Sequence, residues 1–291
     1  MKKLFLLSIC LCLLLAGCAV PPSPPQETEP PSTPPSQAEL LIGEGDVTYT
    51  ATGEKRFTFR FADPEYVIIQ GGYFDGAHYY IAAIKKLPDG YETARIAVLD
   101  ASGNRLREST PLHLDHANSI TYNDRLDCLV IAHCQSPDGH YYRYSLVDPV
   151  TLKIIETDDR EYPFFSIAYS PEREQYASAQ WGGETIDIWD KDLFHLQSYP
   201  VEKPGSLSQG VFCDENGIYF VRSSQNGFPA ELRVYDWNAN LLRTVTVDLP
   251  GDVEPESISL VDGDIYVVGT DWSRGCGVAY RLLLTKAEAP A

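Results

Sequence analysis

Eleven side chains have the types and spacing to form a polar binding ring: Gln70, His116, Asn118, His133, Gln180, Trp181, Gln209, Arg222, Glu256, Asp271 and Trp272. Amides offer paired donors and acceptors to hydroxyl groups, and indole faces stack on the apolar face of a sugar ring. The mix suits a glycan, a peptide or another polar ligand with an apolar face. Catalysis asks for more. A glycosidase needs two carboxylates about 5–10 Å apart across the scissile bond, and here only Glu256 and Asp271 qualify, as acid and base of an extracellular hydrolase or lyase. His116, His133 and Glu256 could approach a metal, but no spacing ties them together, so neither metal nor cofactor is expected. G-x-S-x-G, H-E-x-x-H and a phosphate loop are absent. A binding or protein-interaction module is the favoured reading, with the enzyme as alternative. The bland expectation is that these polar groups cap strand ends and satisfy one another. Asp115 and Glu184 read as turn and solvent residues, and His78, His113, His140 and His195 as surface or packing residues.

These positions share one relation to a repeat. Short β-branched and aromatic runs are separated by turn signals such as Asp75-Gly76, Pro137-Asp138-Gly139, Asn216-Gly217 and Asp262-Gly263, with hardly any helical periodicity. The second strand of each unit starts at Tyr80, Leu129, Tyr176, Tyr219 and Tyr266, a period of 43–49 residues. A first strand precedes each: 71–75, 119–123, 166–170, 210–214 and 257–261. A third follows, often ending in a turn-forming Asp (Asp100, Asp148, Asp190, Asp236), and fourth strands fall at 105–109, 153–157, 196–199 and 241–247. Four-stranded units at this period predict an all-β, five-bladed β-propeller. A β-sandwich would not need the repetition. The fifth unit ends after its third strand (278–284), so residues 56–60 are expected to supply its outer strand and hide an open edge. Loops entering the first strand and leaving the second then build one mouth of a central channel, and the eleven residues lie there.

The units resemble the loose repeats of WD-type propellers, without a Trp-Asp signature recurring in register. His116-Ala117-Asn118-Ser119-Ile120-Thr121-Tyr122-Asn123 resembles the His-Ala-Asn-x-x-Thr-Tyr stretch of a group of bacterial secreted propeller proteins with no established activity. The resemblance implies the fold and carries no chemistry.

The N-terminus carries an address. Lys2 and Lys3 precede an apolar run from Leu4 to Leu15, too short to span a bilayer core of roughly 30 Å. Leu15-Ala16-Gly17-Cys18 resembles the lipobox of bacterial lipoproteins, which implies removal of 1–17 and acylation (palmitate among the chains) of Cys18. Several acyl chains on one residue anchor firmly. Pro-rich residues 21–37 follow, within a lipid-anchored linker over 18–37, and hold the domain up to roughly 50 Å from the lipid. Residues 38–286 form the expected propeller and 287–291 a flexible tail, on the extracytoplasmic face of the cell membrane.

Losing Lys2 and Lys3, and no acid, takes the net charge from −18 to −20. That surface argues against nucleic acid or anionic lipid headgroups as partners. Of seven cysteines, Cys128, Cys134, Cys213 and Cys276 remain after processing and lipidation, without metal-site spacing. Buried free thiols are expected, with a Cys213–Cys276 bridge across neighbouring blades as the alternative in an oxidising compartment.

Overall fold

Aspartates at the strand ends organise the hairpins. Asp100, Asp148, Asp190 and Asp236 each turn one carboxylate oxygen onto two backbone N–H groups of the following turn, at 2.6–3.0 Å. Asp75, Asn123 and Asp214 do the same after the first strands. A short side-chain acceptor two to four residues upstream of orphaned N–H groups favours a tight turn over continued strand.

The computed structural model describes residues 35–43, 47–134, 142–180, 182–203 and 205–287. Cys18, the signal segment, most of the Pro-rich linker and Trp181 lie outside the described residues. The chain divides into Met1–Pro34 and Pro35–Ala291, so the second unit starts three residues before the sequence boundary. It opens with α1 (Gln37–Ile42), a helix the hydrophobic pattern missed. Ser36 and Glu39 form a reciprocal capping box, and Leu41 is fully buried.

Three sheets are four-stranded antiparallel meanders. They comprise β2 (Ile68–Phe74), β3 (His78–Lys86), β4 (Glu92–Asp100) and β5 (Arg105–Glu108); β6 (Ser119–Asn123), β7 (Cys128–Ala132), β8 (Arg143–Val147) and β9 (Ile154–Asp159); and β10 (Ser166–Ser170), β11 (Gln175–Ala179), β12 (Thr185–Asp190) and β13 (His195–Pro200). The remaining strands are β14 (Leu207–Cys213), β15 (Ile218–Ser223), β16 (Glu231–Tyr235), β17 (Leu241–Asp248), β18 (Val253–Val261), β19 (Asp264–Asp271) and β20 (Cys276–Lys286). They join through β1 (Tyr49–Phe59) into one eight-stranded sheet, ordered β14-β15-β16-β17-β1-β20-β19-β18. β1 runs antiparallel along β20 from Tyr49↔Lys286 to Phe59↔Gly277, and its first four residues also run parallel to β17. The N-terminal strand therefore begins seven residues before the expected position, and Arg60 falls just past its end.

Each innermost strand packs on the next, β2 on β6, β6 on β10, β10 on β14, β14 on β18, and β18 back on β2. The core is spread between sheets. Shared clusters join Ile84 and Ile96 with Ile120 and Ile131, Val130 with Ile167 and Trp189, Ile186 with Phe220, and Val268 with Phe74 and Ile81. Strands covered on both faces are buried throughout, as in β7, whereas outer β9 is mostly exposed. Continuous apolar runs in the middle strands follow from that double covering. Cys128, Cys134, Cys213 and Cys276 are free and buried, so no Cys213–Cys276 bridge forms. Burial holds the Cys213 thiol well above its ordinary range.

Candidate functional site

An innermost strand is a sheet edge, and its N–H groups need partners. Hydroxyls on the neighbouring innermost strand supply them: Ser119 accepts from Ile167 N–H, Thr121 from Tyr169 N–H and Ser259 from Phe74 N–H, at 2.9–3.0 Å. Strands this close leave no room for Cβ atoms. A Cβ on Gly71 would lie 2.7 Å from the Ser119 backbone, and one on Gly210 2.5 Å from Ser257 Cα. Bulges at these glycines interrupt β2 and β14, and a third interrupts β18 at Glu256. Gln70, Gln209 and Glu256 thus sit at corresponding irregularities on three innermost strands.

The 116–121 stretch is a staple between sheets. His116 Nδ1 lies 2.6 Å from Glu92 Oε2, and the Ala117 carbonyl accepts from Gly71 N–H at 3.0 Å. Asn118 Nδ2 donates to the Phe165 carbonyl at 2.9 Å on the other side. Ala117, fully buried, holds φ at 46°, where a Cβ is strained. This stretch holds three sheets together.

The structure buries most of the expected ring. Gln70, Asn118, His133, Gln209, Arg222, Glu256 and Asp271 are each no more than 6% exposed. His133 reaches Asp115 Oδ2 through Nδ1 (2.9 Å) and Ser145 Oγ through Nε2 (2.8 Å). An Asp–His–Ser relay invites a nucleophile reading, but Ser145 is fully buried and also bonded to Thr157. No substrate reaches it. Asp115, expected in solvent, is instead the partner of this histidine. Gln180 donates to buried Asp187 at 2.9 Å. Arg222 bonds Ser206 and lies 3.6 Å from Glu231, and burial lowers its pKa to about 10. Asp271 accepts from Ser273 Oγ at 2.6 Å and faces Arg274, so it is already committed. Among the described residues, no three His, Cys, Asp or Glu side chains converge as a metal site requires.

Glu254 went unrecognised in the sequence. It accepts from Gln209 Nε2 and from Trp272 Nε1, both at 2.8 Å, linking β14 to the end of β19. Trp272 is 44% exposed, its indole fixed at one edge and open on its surface. Only the two-residue offset from Glu256 could have suggested this role.

Among the described residues, the buried Ser166 and Ser208 hydroxyls, at the starts of two innermost strands, have no hydrogen-bond partner. Burial, and then Glu254, holds the Glu256 carboxyl well above the usual carboxylate range. The site offers donors and acceptors shielded from bulk solvent, with the Glu254 carboxylate close enough to Glu256 to raise it.

The closed succession of innermost strands defines an all-β protein of the β-propeller class. Family models and curated proteins give no match to the chain. Among solved structures it is similar to a luciferin-regenerating enzyme (14% identity, 78% of this chain and 94% of that one, TM-score 0.45). It is also similar to U3-55K (11%, 73% and 60%, 0.44) and to the WD40 repeats of RRP9 (11%, 75% and 62%, 0.44). The chain spans about three fifths of the length of those last two.

Proposed function

We propose that the protein is a lipid-anchored, extracytoplasmic five-bladed propeller that binds a hydroxyl-rich ligand, a glycan foremost, at the mouth carrying Gln70 and Glu256. In this reading the eight-stranded sheet is two blades joined by β1, whose N-terminal residues touch β17. Anchoring rests on Leu15-Ala16-Gly17-Cys18 alone, and exclusion of nucleic acid on the acidic charge.

The observation that supports binding is the set of buried polar side chains at corresponding irregularities of the innermost strands, Gln70, Gln209 and Glu256, together with the unpartnered Ser166 and Ser208 hydroxyls. A buried polar group without a partner costs about 1–3 kcal/mol, and ligand hydroxyls would recover that cost at Ser166 and Ser208. Trp272, held by Glu254, gives such a ligand a stacking surface at the same mouth. An envelope protein or peptide could use the same face. Hydrolase or lyase chemistry through Glu256 and Asp271 is disfavoured, since Asp271 is taken up by Ser273 and Arg274.

A glycan and peptide array probed with the full chain tests the site. Trp272→Ala should weaken a glycan hit about thirtyfold, near 2 kcal/mol, with melting temperature nearly unchanged. Binding equal to the parent's would remove Trp272 from the site. Cys18→Ser should move the protein out of the membrane fraction, and salt-resistant retention would end the lipoprotein reading.

A further inference from the structure

The opposite end of the innermost strands forms a second cavity, of about 360 Å³. Tyr73 on β2, Tyr122 on β6, Tyr169 on β10 and Phe212 on β14 line it from corresponding strand positions. Tyr73 and Tyr122 stand 6.3 Å apart, with their planes 24° from parallel. Asp75, Asp124, Glu172 and Asp214 rim it, and no Lys, Arg or His is among its lining residues. On one side α1 closes the wall, where Ala38 N–H donates to the Gly263 carbonyl at 3.0 Å.

Three observations point to a ligand and to its charge. Tyr169 is 4% exposed, and its hydroxyl, on a residue lining the cavity, has no partner. The Tyr73 hydroxyl is pushed up to about 12, by burial first and then by Asp75. Burial raises the Asp214 carboxyl, and Glu172 adds to the shift. Acidic side chains thus rim a cavity lined by aromatic rings with no cation among its lining residues, the nearest cationic groups being His78, 3.5 Å from Asp75, and Arg125, which acts on Tyr169. Among the described residues the acids do not converge as metal ligands, and Ca²⁺ would need six to eight oxygens. Aromatic faces within a negative field attract an organic cation, whose spread charge and methyl groups suit π surfaces.

We propose that this tyrosine-lined cavity binds an alkylated ammonium compound of the choline type. It lies at the other end of the strands from the glycan site proposed above and does not depend on it. Because the rim is acidic, the ligand is a free cation; the phosphate of a phosphocholine headgroup would be repelled.

Calorimetry on the full chain in detergent tests this with three probes: choline, its neutral isostere 3,3-dimethylbutan-1-ol, and phosphocholine. Choline should bind in the submillimolar range, with both others at least tenfold weaker. Tyr73→Leu should weaken choline about tenfold. Asp124→Asn, at an exposed position with no described partner, should weaken it about threefold while leaving the melting temperature unchanged. Glu256→Gln, at the far mouth, should bind choline like the parent, which keeps the two sites' fates distinct. No choline binding, or equal binding of the neutral isostere, overturns the proposal. Tighter phosphocholine binding also overturns it, in favour of a lipid headgroup site.

Discussion

The two ends of the innermost strands are put to opposite uses. Where the chain enters the innermost strands, polar side chains pair between elements distant in sequence: His116 with Glu92, Asn118 with the Phe165 carbonyl, Gln209 with Glu254. Where it leaves them, Tyr73, Tyr122, Tyr169 and Phe212 line an open cavity. Repetition explains both. Residues at one strand position are brought together by the ring, so complementary types knit and like types form a lining. The first mouth supplies cohesion and keeps only a few groups free; the second retains space.

The largest effect should come from forcing the knitted mouth apart. In Gly71→Ala the new Cβ meets backbone of Ser119 and Ala117, which cannot rotate away. A cost of about 3 kcal/mol corresponds to a melting temperature lower by roughly 6–12 °C for a domain of this size. An unchanged melt would mean that the sheets separate freely. Asn118→Ala comes next. It strips the Phe165 carbonyl of its side-chain donor, at about 1–3 kcal/mol, read by denaturant midpoint with the slope unchanged.

A substitution at the open mouth should have the opposite sign. Tyr169→Phe deletes a hydroxyl with no partner, so the protein should gain up to about 1 kcal/mol. A loss of similar size in thermal melts would reveal a partner for that hydroxyl and make the two mouths alike.

Much of this contrast was written in the chain, unevenly. Second strands such as Tyr80–Ile84 were legible because both faces are covered, leaving an apolar run between Asp- and Gly-marked turns. The helix was not, since six residues carry too little periodicity; the Ser36–Glu39 capping box was its one signal. Gln70, Gln209 and Glu256, read as loop residues entering the strands, fall inside β2, β14 and β18 at bulges, and their surroundings were not legible. Glu92, Glu254 and Asp115 lie on other strands or loops, brought near only by sheet packing. The tyrosine lining was visible as an aromatic recurring at one repeat position, in Gly71-Gly-Tyr, Ser119-Ile-Thr-Tyr, Ser166-Ile-Ala-Tyr and Gly210-Val-Phe.

The smallest expected change is at Glu256, and pH isolates it. Its carboxyl is raised in the folded state by burial and by Glu254, whereas the unfolded chain titrates near the ordinary value of about 4.3. Below that value both states hold the proton, and the stability this group contributes is fully present. As pH rises toward the folded value, the unfolded state releases its proton first, so stability is lost. Glu256→Gln keeps the shape and cannot titrate. Its melting temperature relative to the parent should therefore climb between pH 4 and pH 8, whatever constant offset the amide introduces. Asp214 is raised as well, but it is common to both proteins and cancels in the difference. A difference that stays flat with pH would mean that Glu256 is ionised in the folded protein. It would then face solvent or a cation, and the knitted mouth would be as open as the one lined by tyrosine.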